Sequence, residues 1–117
     1  MEEKDILSIW LGNFESEEKF QEFISENYDD DGDVSSLFTK LFNIDYIDTD
    51  FQESLFNEML TVDDLLQASY AESFIDKIDV DIIKQSNCAL IIYDYNYSGE
   101  IKSSGNLNFI GTFEYRK

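Results

Sequence analysis

Two runs near the C-terminus constrain the fold more than any other feature of this chain. Residues 88–97 are a long β-rich run and residues 107–115 alternate with a period of two, the repeat that sends successive side chains to opposite faces of a strand. In the first run Ala89, Ile91, Tyr93, Tyr95 and Tyr97 share one face. In the second, Leu107, Phe109, Gly111, Phe113 and Tyr115 share a face, against Asn106, Asn108, Ile110, Thr112 and Glu114. Ser98-Gly99 and Ser103-Ser104-Gly105 supply turn chemistry between them, so the two strands are expected to pair as an antiparallel hairpin. Residues 6–11 are apolar at nearly every position and stop at Gly12-Asn13, the pattern of a short buried strand. That strand is expected to join the hairpin's sheet.

The helical signals lie between these strands. Ser16 has the chemistry of an N-cap, with Glu17 and Glu18 favourable in the first turn, and Phe20, Phe23 and Ile24 follow at helical spacing. Residues 28–33 (YDDDGD) break that helix as a solvated loop, after which Ser36 caps a short helix carrying Leu37, Phe38, Leu41 and Phe42. Residues 43–53 alternate acids with Ile44, Tyr46 and Phe51 and read as extended or irregular. Ser69 and Glu72 have capping-box spacing ahead of Phe74, Ile75 and Ile78. That helix is expected to reach Lys84, although Asp76, Asp79 and Asp81 weaken its propensity. The elements add up to an α+β fold: a two-layer single domain over residues 1–117, with a mainly antiparallel sheet (N-terminal strand plus C-terminal β-hairpin) covered by helices. Trp10, Phe20, Phe23, Phe109 and Phe113 are its predicted core.

Hydrophobic residues make up 43% of the 117 and aromatics 15%, too apolar for a disordered acidic tail. Twenty-six acids oppose eight basic residues, for a net charge of −18. Such a field repels nucleic acid and anionic membranes and draws basic partners inward. A solvated surface and an inhibitor matched to a basic protein both fit that charge. No run approaches the roughly 18 apolar residues that span a bilayer. The start MEEKDILSIWLG is acidic ahead of its apolar stretch, so no secretory signal is expected. Cys88 is the only cysteine, which excludes an internal disulfide and fits a cytoplasmic location.

Catalytic signatures are missing. The chain has no histidine, the commonest general base and metal ligand, and no phosphate-loop, dinucleotide or nucleophile-elbow motif. No catalytic residue, cofactor or metal is therefore expected. The acidic loop fails the EF-hand pattern in both registers. Counting from Asp29 puts Val34 at the glycine position and Lys40 at the bidentate glutamate, and counting from Asn27 puts Phe38 there. Eight scattered basic residues form no phosphate-neutralising patch, so nucleic-acid binding is not expected. What remains is protein recognition. Asp29, Asp30, Asp31 and Asp33 form one cluster, and Asp45, Asp48 and Asp50 form another, with Tyr28, Tyr46 and Phe51 nearby. An acidic rim around aromatic anchors suits a basic partner. The alternatives are solvent-facing turns whose aromatics enter the core, an acidic adaptor, or a weak calcium-binding domain.

Several segments together resemble the immunity protein 22 family of bacterial polymorphic toxin systems. They are Ile9-Trp10-Leu11-Gly12-Asn13-Phe14, Ser16-Glu17-Glu18, YDDDGD at 28–33 and YIDTDFQE at 46–53. SYAESF at 69–74, ALIIYDYNY at 89–97 and FIGTFEY at 109–115 complete the pattern. The chain departs from it at Leu41, where an acid is common, and at Ala68, where glycine is common. The resemblance implies a cytoplasmic, non-catalytic protein that neutralises a cognate protein toxin domain. It does not say which residues make the contact. Electrostatics assigns that role to Asp29, Asp30, Asp31 and Asp33, then Asp45, Tyr46, Asp48 and Asp50. A basic toxin such as a nuclease is the expected partner.

Overall fold

The three strands and the first two helices read from periodicity and capping do form, and the α+β class stands. A computed structural model describes residues 2–25, 27–28, 34–44, 51–68, 70–104 and 106–115. The chain opens with β1 (Glu2–Gly12), α1 (Glu17–Ile24), β2 (Asn27–Tyr28), β3 (Val34–Ser35) and α2 (Leu37–Leu41). It continues through β4 (Gln52–Phe56), α3 (Val62–Leu65), two 3₁₀ turns (Ala71–Ser73 and Ile75–Lys77) and α4 (Val80–Lys84). It closes with β5 (Cys88–Tyr95), β6 (Ser103–Ser104) and β7 (Leu107–Glu114).

The principal sheet has five strands in the order β4-β5-β1-β7-β6. The expected hairpin between residues 88–97 and 107–115 does not form, because β1 lies between them and pairs antiparallel with both. β5 and β7 therefore run parallel to each other. The reason lies in β1 itself. Leu7, Ile9, Trp10 and Leu11 are all at most 1% exposed, and only a central strand covered on both faces buries a run without polar alternation. The chain leaving β5 must then cross β1, and Ser8 marks the crossing. Its hydroxyl, fully buried, donates to Tyr95 O at 2.8 Å and accepts from Tyr97 N at 2.9 Å. Tyr97 then packs its ring 5.3 Å from Trp10 and 4.7 Å from Phe109.

Apolar side chains fill both faces of the sheet, giving three layers where two were expected. On one face Trp10, Leu90 and Ile92 meet Phe20 and Phe23 of α1 and Phe38 of α2. On the other, Leu7, Ile9, Leu11 and Ile91 meet Leu65 of α3, Phe74 between the 3₁₀ turns and Ile83 of α4. Two irregularities redirect the alternation read from sequence. Asp94 sits at φ 55, so Tyr93 belongs to the second core while Tyr95 and Tyr97 belong to the first. The β1–β7 register shifts between Ile9 and Trp10. Leu107 and Phe109 accordingly face Trp10, whereas Phe113 and Tyr115 join the opposite core. Of the predicted core, Trp10, Phe20 and Phe23 are buried, and Phe109 and Phe113 are partly buried against it.

Local capping explains the helices. Ser16 accepts from Lys19 N at 3.2 Å, and Ser36 and Thr39 form a reciprocal capping box. α2 ends with Asn43 at φ 57, and Ile44 N reaches back to Thr39 O at 2.8 Å, a left-handed C-terminal cap. The continuous helix expected from Ser69 to Lys84 is a correction. Ser69 lies outside the described residues, and from Ala71 onward the chain makes two 3₁₀ turns before Asp79 caps α4 by accepting from Asp81 N at 2.8 Å. Aspartates that compete for backbone donors restart the helix rather than extend it. Gln52 and Glu53, at the end of the stretch read as extended or irregular, open edge strand β4, which runs to Phe56 and pairs with β5.

Candidate functional site

The segment Trp10-Leu11-Gly12-Asn13-Phe14 is a structural joint. A Cβ on Gly12 would lie 1.9 Å from the carbonyl oxygen of Asn106, so only glycine permits that backbone approach. Asn13 Nδ2 donates to Gln85 O at 2.9 Å, at the end of α4. Asn87 clamps Phe14, accepting from its N–H at 3.0 Å and donating to its carbonyl at 2.7 Å. The Phe14 ring then packs 5.4 Å from Phe20 and 5.3 Å from Phe23. Cys88 is equally structural, since burial pushes its thiol up to about 12 and leaves no thiolate at neutral pH.

The sequence-predicted contact residues Asp29, Asp30, Asp31, Asp33, Asp45, Tyr46, Asp48 and Asp50 lie outside the described residues. Their flanks are described. Tyr28 pairs with Val34 across β2 and β3, Ile44 is buried, and Phe51 is 42% exposed immediately before edge strand β4. Among the described residues, no cluster of His, Cys, Asp or Glu has an arrangement that could hold a metal ion. No helix among them is long and apolar enough to cross a membrane.

Sequence reasoning missed a tyrosine–carboxylate cluster at the Asp5 end of the sheet. The ring of Tyr70 lies 6.0 Å from that of Tyr93 and 5.5 Å from that of Tyr115, and Tyr93 and Tyr115 are 5.3 Å apart. The Tyr93 hydroxyl donates to Glu53 Oε2 at 3.1 Å, and the Tyr115 hydroxyl donates to Asp94 Oδ1. Asp94 Oδ1 also accepts from Asp5 N at 2.9 Å. Burial, and then the Glu53 carboxylate, push the Tyr93 phenol far above its ordinary range. Burial and the Asp94 hydrogen bond do the same to Tyr115. Both hydroxyls therefore stay protonated donors at every physiological pH. Tyr70 is 45% exposed and held at φ 61, a left-handed conformation that costs a bulky residue about 1–2 kcal/mol. The signal available beforehand was Asp94 interrupting a tyrosine stripe. Nothing local marked Tyr70.

Beside Tyr115 opens a cleft of about 590 Å³, lined by Asp5, Ile6, Glu72, Lys77, Glu114 and Tyr115 among others. A shallower groove of about 370 Å³ runs past Phe14, Phe23 and Leu37 near α1 and α2.

Compared with known proteins, residues 7–116 match the family model described as Immunity protein 22, which covers nearly the whole chain from within β1 to just past β7. No curated protein and no solved structure gave a match.

Proposed function

This chain belongs to the immunity protein 22 family, and from that premise we propose that it neutralises a cognate toxin domain by binding it and masking a basic active-site cleft, such as that of a nuclease. The observation that carries the reading is the charge. Twenty-six acids against eight basic residues leave a net charge of −18, so even complete internal pairing would leave a strong negative field. A nuclease cleft is basic because it must hold phosphates. A field of this sign steers it inward, raising association towards about 10⁸ M⁻¹s⁻¹ at low salt. The acids concentrated at Asp29, Asp30, Asp31 and Asp33, then at Asp45, Asp48 and Asp50 beside Tyr46, form the capturing surface.

The test co-expresses this chain with the C-terminal domain encoded by the gene immediately upstream. Killing by that domain alone and growth when both are present support neutralisation, whereas equal killing in both cases rejects the pairing. With the partner in hand, the four-fold change Asp29→Asn, Asp30→Asn, Asp31→Asn and Asp33→Asn should slow association at least tenfold. It should also flatten the salt dependence and leave thermal stability unchanged or higher. Association that keeps its rate and salt slope would remove this loop from the interface.

A further inference from the structure

The two sides of the principal sheet differ in how their outer edges are closed. On one side β6 covers Leu107 and Asn108 of β7, the Phe109 N–H donates to Lys102 O at 2.7 Å, and a register shift interrupts the strand just beyond. Short covering strands and bulges are how sheets blunt an edge. On the other side β4 runs in unbroken register from Gln52 to Phe56 and, among the described residues, pairs with β5 alone. We infer that this open edge docks an extended, basic segment of the toxin as an added strand. The inference rests on the neutralisation reading above and names how the partner is held.

The outward backbone groups of β4 follow from one hydrogen bond. The Asn57 N–H donates to Asn87 O at 3.0 Å, and in an antiparallel pair the residues that bond the neighbour alternate along the strand. Glu53 and Leu55 therefore bond β5, and the N–H and C=O of Gln52, Ser54 and Phe56 point outward. Among the described residues, no backbone hydrogen bond reaches those groups. Phe51, 42% exposed, and Met59, 67% exposed, bracket the strand and give the ends of an added segment apolar contacts. Main-chain bonds supply the hold in this mode of recognition, and side chains at alternate positions supply the choice of partner.

Charge selects the occupant. Helix α1 lies beside the edge, since Gln21 Nε2 donates to Ser54 Oγ at 3.3 Å and the Phe20 ring stacks 6.5 Å from that of Phe56. Glu17 and Glu18, both exposed, stand one turn before Gln21 on the same helix face. The one base of α1, Lys19, is paired with Glu22 at 4.0 Å. Residues 51–58 add Glu53 and Glu58 and contain no base. A strand laid along this edge therefore runs past acids, which suits lysine and arginine. A second copy of this chain is a poor occupant, because edge-to-edge pairing sets the same acids against each other on two bodies of charge −18.

Amide hydrogen exchange on the parent chain, with and without the upstream-encoded toxin domain, tests the docking directly. In the unbound chain the amides of Gln52, Ser54 and Phe56 should exchange fast, and in the complex each should slow by about tenfold or more. The toxin segment that gains protection should carry more Lys and Arg than Asp and Glu. Ser54→Pro gives a second measurement, because proline removes an outward N–H and spares the ladder to β5. Its Kd should rise about tenfold or more, mainly through faster dissociation. Ser54→Ala keeps the N–H, loses only the Gln21 contact and should bind like the parent. Should Ser54→Pro fail to fold, exchange on the parent chain still decides. Binding without protection at these three amides would overturn the edge while leaving neutralisation intact. A protected toxin segment lacking a basic excess would overturn the choice of occupant. A dimer in sedimentation that protects the same amides without toxin would overturn it in favour of a second copy. A parent chain that fails to bind the toxin domain overturns both readings.

Discussion

Ser8→Ala is the perturbation whose effect the architecture predicts most directly. The hydroxyl is fully buried under the crossover from β5 to β7, accepts from Tyr97 N at 2.9 Å and donates to Tyr95 O at 2.8 Å. Alanine removes both contacts without opening a cavity a water can fill with enough partners. The orphaned Tyr97 N–H alone costs about 1–3 kcal/mol of desolvation, so about 2 kcal/mol is expected. Entropy of unfolding of about 2.1 cal/mol/K per residue puts 117 residues near 250 cal/mol/K, and the melting temperature should fall by about 8 °C. Urea denaturation gives the free energy directly, with an unchanged slope expected because the surface exposed on unfolding is the same. Ser103→Ala is the control, since its hydroxyl bonds Asn108 Oδ1 on the exposed surface and should change stability by less than about 0.5 kcal/mol. A Ser8→Ala loss below about 0.5 kcal/mol would refute the idea that this hydroxyl supports the crossing.

Two further outcomes follow from the joint and from the buried titrating groups. Gly12→Ala drives a methyl into the Asn106 carbonyl at 1.9 Å and should cost about 3 kcal/mol or more by denaturant titration, because the obstacle is backbone and no rotamer relieves it. Burial raises the Cys88 thiol from 9.0 to about 12 and also raises Tyr93 and Tyr115, so above pH 9 the unfolded chain holds fewer protons than the folded one. Stability is then full below pH 9 and falls as pH rises from 9 towards 12, and denaturation midpoints that stay level from pH 8 to 11 would contradict this.

What could be read from the sequence was whatever depends on near neighbours. Ser16 and Ser36 announce their helices because a cap and the backbone N–H that donates to it are three residues apart. Residues 88–95 announce a strand because a short apolar, β-rich run is a local signal. Strand order escaped because turn chemistry at Ser98-Gly99 favours a hairpin, whereas burying both faces of β1 decides the sheet. Asp94 at φ 55 reverses the faces of Tyr95 and Tyr97, and no composition rule distinguishes that aspartate from an ordinary strand residue. The cleft was invisible for the same reason. Asp5, Glu72 and Tyr115 come from three distant segments, and only the folded chain brings them together.

Placing β1 at the centre of the sheet also sets the order in which the protein can be made. The hydrogen bond from Tyr97 to Ser8 spans 89 residues, and both neighbours of β1 are translated long after it. Chains dominated by such distant pairings fold in milliseconds to seconds rather than microseconds. On the ribosome the central strand must wait, apolar and unpaired, until β5 and then β7 emerge. At roughly 5–20 residues per second, that delay is several seconds. On the proposed reading, neutralisation therefore depends on the pool of chains already folded when the toxin arrives.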